Sequence, residues 1–181
     1  MACEHPVRTP RMPEPLSAHV SRYLRNREVF ERNLPAALLV FTPATEEGSG
    51  GDGEEYRLKT VTNAGTPTLG ASGPLVFPVV KSRTNAFGRG ITVGRTGNND
   101  VVLDDGSVSR FHAWFSREEG HAGFLLTDAG SKNGSWAGGV RLVPRKAVPV
   151  ADGARLRFGQ VEVGFYTANG FVRMLAVRMA P

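Results

Sequence analysis

The chain has 181 residues, 22 of them Lys or Arg and 17 Asp or Glu, which gives a formal charge of +5. That length holds one domain with an extension, or two very small ones. With 40% hydrophobic and 22% charged residues, the composition excludes a wholly disordered or fibrous chain.

Split along the sequence, the net charge is +2 over residues 1–35, −1 over 36–87, +2 over 88–167 and +2 over 168–181. No segment concentrates it, so nucleic-acid binding through a basic stripe is not expected. The longest clean apolar run, Ala36 to Phe41, is far short of the roughly 20 residues that span a bilayer. The start, Met1 to Pro6, lacks the pattern of a secretory signal, which makes the cytoplasm the expected location. One cysteine, Cys3, cannot form an internal disulfide.

Taken in chain order, Pro6, Pro10, Pro13 and Pro15 make residues 1–15 an extended tail. Within it, Thr9 stands beside Pro10 as a candidate phosphorylation site. Leu16, Val20, Tyr23, Leu24, Phe30 and Leu34 then recur at three- and four-residue steps opposite a charged face, predicting one amphipathic helix capped by Ser17 and ended by Pro35. Ala37 to Thr42 and Tyr56 to Val61 read as strands of a long hairpin around a Gly- and Glu-rich loop. Residues 16–62 are thus expected to form an N-terminal extension, and the Gly-, Thr- and Pro-rich stretch 63–73 a linker.

Every later segment reads as strand: Leu75 to Val80, Ile91 to Val93, Val101 to Leu103, Ala113 to Phe115, Phe124 to Thr127, Ala154 to Phe158, Val161 to Tyr166 and Phe171 to Val177. Alternation is strict in Val161-Glu162-Val163-Gly164-Phe165, so one face is buried and one is wet. Short strands with frequent turns predict an all-β sandwich over residues 74–177, followed by a tail at 178–181. No long helix is expected after residue 35.

Catalytic and cofactor motifs are missing. No Walker loop and no Gly-x-Ser-x-Gly elbow occurs. Gly88 to Gly94 departs from the dinucleotide fingerprint, because its third glycine is one residue late and no helix follows. Cys3 and His5 have no second pair of ligands to complete a metal site, and His19, His112 and His121 are dispersed. No enzyme activity, cofactor or metal is expected.

Three loops share a different character: Val93 to Asp100, Ser107 to His112 and Asp128 to Trp136. Each sets Arg, Lys, Ser or Asn at a strand end. Brought to one edge, Arg95, Ser109, Arg110, Lys132 and Asn133 form a pocket of donors for an anion. A phosphorylated side chain fits best, with its near-double charge and three acceptor oxygens facing planar guanidinium groups. Asn133 offers donor and acceptor together, which suits the backbone of an extended peptide. His112 is placed to hydrogen-bond the loop that presents Ser109.

Gly94-Arg95, the Ser-x-x-His at 109–112 and Asn133-Gly134 resemble, in order and spacing, the forkhead-associated (FHA) domain family. The resemblance covers roughly residues 74–177. It implies an eleven-stranded sandwich of two twisted, mainly antiparallel sheets, whose apical loops bind phosphothreonine peptides without catalysis. By position, Arg95 and Ser109 then hold phosphate oxygens, Arg110 adds a second charge, and Asn133 fixes the peptide backbone. Gly94, His112 and Gly134 shape the loops. Lys132 stands where the family often has threonine, and Ala137-Gly138-Gly139 replaces its Val-Asn-Gly.

The implied partner is a phosphothreonine-containing protein downstream of a Ser/Thr protein kinase, with no nucleic acid and no membrane involved. The alternative is a scaffold that binds an unphosphorylated partner and leaves the pocket unused.

Overall fold

The computed structural model describes residues 12–43, 73–83, 85–88, 90–117 and 123–179. Cys3, His5, Thr9, the strand expected at Tyr56 to Val61, most of the linker and His121 lie outside the described residues. Among those described, no helix is long and apolar enough to cross a membrane.

Two sheets make a β-sandwich. The larger has seven strands: β1 (Glu14–Pro15), β2 (Ala37–Phe41), β3 (Leu75–Pro78), β8 (Ser135–Ala137), β9 (Val140–Arg141), β11 (Arg155–Phe158) and β12 (Val161–Thr167). Their order is β1-β3-β2-β12-β11-β8-β9. The smaller holds β4 (Ile91–Gly94), β5 (Val101–Val102), β6 (Ala113–Ser116), β7 (Phe124–Asp128) and β10 (Val148–Val150), in the order β10-β7-β6-β4-β5. All pairings are antiparallel except β4 with β5.

Period-2 alternation sends Val161, Val163 and Phe165 of β12 inward while Glu162 is exposed. They meet Leu39, Phe77, Leu156 and Phe158 of their own sheet, and Val93, Ala113, Phe115 and Leu126 of the other, in one core cluster. Burying each such aromatic or aliphatic side chain stabilises the fold by roughly 1.5–3 kcal/mol.

The strand expected in an N-terminal extension is integral to this sandwich. Residues 37–41 pair antiparallel with both β12 and β3, and four of the five are buried. The boundary expected at 63–73 therefore does not separate the sandwich from what precedes it. A continuous apolar run is the mark of a strand covered on both faces, and here the second cover is helical.

The single helix expected over 16–34 is two: α1 (Leu16–Arg25) and α2 (Arg27–Arg32). Asn26 breaks it, with an extended backbone (φ −160, ψ 94) and a side chain that accepts the Val29 N–H at 3.1 Å to cap α2. Ser17 is not the cap of α1; Pro15 holds that position and makes no side-chain bond.

A further correction lies at the C-terminal end, where Phe171 to Val177 belongs to helix α3 (Ala168–Arg178). Thr167 caps it by accepting the Gly170 N–H at 3.1 Å. Asp152 accepts the Thr167 N–H at 2.7 Å and the Arg173 guanidinium at 2.6 Å. Phe171 and Leu175, four residues apart, are both buried, which is a helical spacing inside a run apolar enough to read as strand. With Leu16 and Phe30 they cover Leu38, Val40 and Val76 in a second cluster, so three helices cap the outer face of β2 and β3. The strands β8, β9 and β10 went unread because they are two or three residues long and lie among glycines and prolines. Counting β1, twelve strands occur among the described residues, against the eleven implied by resemblance.

Candidate functional site

Three loops meet at one end of the sandwich: residues 95–100 after β4, 103–112 between β5 and β6, and 129–134 between β7 and β8. Their backbones are tied to one another. Gly94 closes β4 at a point where a Cβ collides with the Arg110 carbonyl oxygen and comes within 2.7 Å of the Asn99 amide nitrogen. Only glycine lets the first two loops approach so closely. The Arg95 N–H then donates to the Ser109 carbonyl at 3.1 Å. Asn99 Nδ2 donates to the Arg110 carbonyl at 2.6 Å, and Thr96 Oγ1 does so at 3.0 Å.

His112, which is fully buried, fastens the second loop to the third. Its Nδ1 accepts the Ser109 N–H at 2.9 Å, so the ring proton resides on Nε2, which donates to the Gly134 carbonyl at 3.0 Å. Both ring nitrogens are therefore used within the protein, as a buried imidazole requires. Burial pushes its pKa down, outweighing the Gly134 carbonyl and the Asp128 charge, which push it up. The Gly134 carbonyl also accepts the Gly159 N–H at 3.0 Å.

The third loop winds around one buried carboxylate. Asp128 accepts from the Gly130 N–H at 2.8 Å, the Ser131 N–H at 2.9 Å, the Ser131 hydroxyl at 2.7 Å and the Ser135 hydroxyl at 2.5 Å. Burial alone raises an aspartate's pKa, but these four donors overcome it and hold Asp128 below the ordinary value. The turn delivers Lys132 and Asn133 to the second loop. The Lys132 N–H donates to Ser109 Oγ at 3.1 Å, and Asn133 Nδ2 donates to the Ser107 carbonyl at 2.7 Å. Ser107 is itself fixed, its hydroxyl donating to Asp105 at 2.5 Å and accepting the Gln160 N–H at 2.8 Å.

The structure thus places all eight residues singled out by sequence in one connected cluster. Arg95, Arg110, Lys132 and Asn133 are exposed, while Gly94 and the His112 ring are buried. Ser109 is half-buried, and its Oγ, already accepting from Lys132, keeps its hydroxyl proton to donate. Among the described residues no ion pair involves Arg95, Arg110 or Lys132. Asn133 spends one N–H on Ser107 and retains its carbonyl oxygen and the other N–H. This surface can donate to an anion from several directions. Nor does any group of three His, Cys, Asp or Glu side chains suited to a metal ion occur among the described residues.

Sequence reasoning missed the residues that brace these loops: Thr96, Asn99, Asp105, Ser107, Asp128, Ser131 and Ser135. The signal available was the spacing Asp128-x-Gly130-Ser131, since an aspartate commonly accepts N–H groups two and three residues on.

A family model described as the FHA domain matches residues 91–159. The chain is 37% identical over 106 residues to the oxoglutarate dehydrogenase inhibitor of Corynebacterium diphtheriae, covering 55% of this chain and 68% of that one. It is 35% identical over 95 residues to the glycogen accumulation regulator GarA of Mycolicibacterium smegmatis, covering 49% of this chain and 57% of that one. Among solved structures, Mycobacterium tuberculosis EmbR in complex with a low-affinity phosphopeptide is 32% identical, with a TM-score of 0.39, over 44% of this chain and 20% of that one.

Proposed function

The chain belongs to the forkhead-associated family, and from that premise we propose that it is a phosphothreonine-peptide-binding module that recruits a phosphorylated protein in Ser/Thr kinase signalling. Arg95 and the Ser109 hydroxyl take phosphate oxygens, Arg110 adds a second positive charge, and Lys132 stands beside them. Asn133 holds the peptide main chain with the carbonyl oxygen and N–H that Ser107 leaves over. The module acts in the cytoplasm by binding and not by catalysis. The names of two relatives, an enzyme inhibitor and an accumulation regulator, agree with a regulatory role.

The observation that carries this reading is the mutual anchoring of the three loops. Arg95 N–H binds the Ser109 carbonyl and Lys132 N–H binds the Ser109 hydroxyl, so the backbones that carry Arg95 and Lys132 are fastened to Ser109, the neighbour of Arg110. A phosphate dianion uses all of these donors, whereas a carboxylate leaves some unpaired.

The test is a phosphopeptide library screened by the full chain and by Arg95→Ala. Wild type is expected to retain phosphothreonine peptides and ignore their unphosphorylated forms. Loss of one bidentate guanidinium is expected to weaken binding by at least about tenfold. Partner capture that is indifferent to phosphate and to Arg95 rejects the proposal in favour of an unphosphorylated partner.

A further inference from the structure

Division of the chain into four long segments spreads the +5 excess, yet one shorter stretch carries it. Residues 132–157 contain six cationic side chains and one carboxylate, and that carboxylate, Asp152, is bound to Arg173. Apart from Lys132, these cations belong to one strip of the larger sheet and to the loop that leaves it.

On β11, Leu156 and Phe158 point into the core, so Arg155 and Arg157 point outward. The register sets Arg157 opposite Trp136, and Trp136 opposite Arg141. A single cross-strand row therefore reads Arg157, Trp136, Arg141. The Arg157 guanidinium lies 3.4 Å from the centre of the indole and that of Arg141 lies 5.4 Å away. Glu162 is the neighbour of Arg157 on its other side, yet among the described residues no ion pair involves any cation of this strip.

The helical cluster covers β2 and β3 and includes no residue of β8, β9 or β11. This half of the outer face is left to the arginines.

Two contacts join the strip to the peptide loop. A Cβ on Gly134 falls 2.9 Å from Arg141 Nε, so the Arg141 guanidinium lies against the residue after Asn133. In the following loop, the Arg145 N–H donates to the carbonyl of Asp128 at 2.8 Å, which sets Arg145 and Lys146 beside the same turn.

We propose that the row Arg157–Trp136–Arg141, with Arg155, Arg145 and Lys146 around it, docks an acidic segment of the phosphorylated partner adjoining its phosphothreonine. The inference rests on the phosphopeptide reading above and adds to it the chemistry of the flanking chain. Charge complementarity is its warrant, because an uncompensated cationic strip continuous with the loops of the site attracts carboxylates and speeds encounter with an acidic partner. Nucleic acid fits less well, since base stacking needs a bare aromatic face and the Trp136 ring has a guanidinium stacked on it.

The experiment titrates two phosphothreonine peptides with the same core, one flanked by Asp and Glu and one by Asn and Gln, against the full chain, the double variant Arg141→Gln/Arg155→Gln and Arg155→Gln alone. Arg155 makes no side-chain contact among those described, so that variant separates lost charge from a disturbed Gly134 turn. For wild type the acidic flank is expected to tighten binding by about tenfold at low salt, an advantage that shrinks as salt rises. The double variant loses it, and Arg155→Gln loses part of it while binding the neutral-flank peptide as wild type does. Equal binding of both peptides by wild type, or an advantage that survives in the double variant, overturns the inference and leaves the phosphopeptide reading standing. Binding of neither peptide overturns both. Capture of an oligonucleotide that the double variant abolishes, in competition with the acidic peptide, assigns the strip to nucleic acid and overturns it as well.

Discussion

The imidazole of His112 accepts the backbone N–H of Ser109 at 2.9 Å, and through its other nitrogen it grips the Gly134 carbonyl. One buried ring thereby sets the spacing between the loop carrying Ser109 and the loop carrying Lys132 and Asn133. Replacing His112 with alanine leaves a cavity, strips the Ser109 N–H of its partner and leaves the Gly134 carbonyl with the Gly159 N–H alone. The expected loss is about 3 kcal/mol of stability, read by chemical denaturation, together with weakened phosphopeptide binding. A variant as stable as wild type is incompatible with this bracing role.

A pH dependence follows from the same ring. Burial holds the native pKa of His112 below the ordinary histidine value of 6.5, so just under that pH the unfolded chain takes up a proton that the native state refuses. The contribution to stability is complete above about pH 6.5 and falls as pH drops toward the depressed native value. Thermal midpoints measured between about pH 8 and about pH 5.5 are expected to decline on the acid side, and less steeply in His112→Gln. Asp128, also depressed, adds stability present above its ordinary value of 3.8 and lost as pH falls through its native one.

Gly94 is defined by what lies next to it. Gly94→Ala drives a methyl group into the Arg110 carbonyl and the Asn99 amide, and is expected to cost about 1–3 kcal/mol and to separate Arg95 from Ser109. Gly97, three residues on, has nothing within 4 Å of a built Cβ. Gly97→Ala should stay within about 0.5 kcal/mol of wild type. Denaturation midpoints of the pair decide whether the close approach of the loops matters.

Phosphothreonine differs from phosphoserine by one methyl group. Its burial is worth roughly 0.8 kcal/mol, about fourfold in affinity. Phosphothreonine and phosphoserine versions of one bound peptide should differ by that factor in calorimetric titration. Identical affinities contradict a pocket that contacts the methyl.

Helix α3 contributes stability away from the loops. Phe171 is fully buried between the helices and β2, and its ring lies 5.5 Å from that of His19. Phe171→Ala is expected to cost about 3–5 kcal/mol, seen as a lowered denaturation midpoint, with phosphopeptide affinity unchanged in the fraction that remains folded. A midpoint within error of wild type means that α3 does not pack as described.

The β-sandwich was legible in the sequence, and so were the eight residues that meet where its three loops converge. Alternation such as Val161-Glu162-Val163 carries its own face assignment, and Gly94-Arg95 and Ser109 to His112 stand at ends of strands that such patterns predict, whereas Asn133-Gly134 precedes β8, which they do not. Local pattern was insufficient wherever a segment is covered on two sides or is very short. Ala37 to Phe41 looks the same whether it edges a hairpin or sits in mid-sheet, and Phe171 to Val177 is apolar enough for either period until Thr167 and Asp152 fix a helical cap.

Only the folded chain shows how the loops are braced to one another, since Asn99 binds the Arg110 carbonyl and Ser107 binds Asn133 and Gln160, groups far along the chain. The stretch 132–157 already carries the charge in the sequence, but strand pairing is what sets Arg157, Trp136 and Arg141 side by side, and electrostatic attraction depends on distance in space and not on separation in sequence.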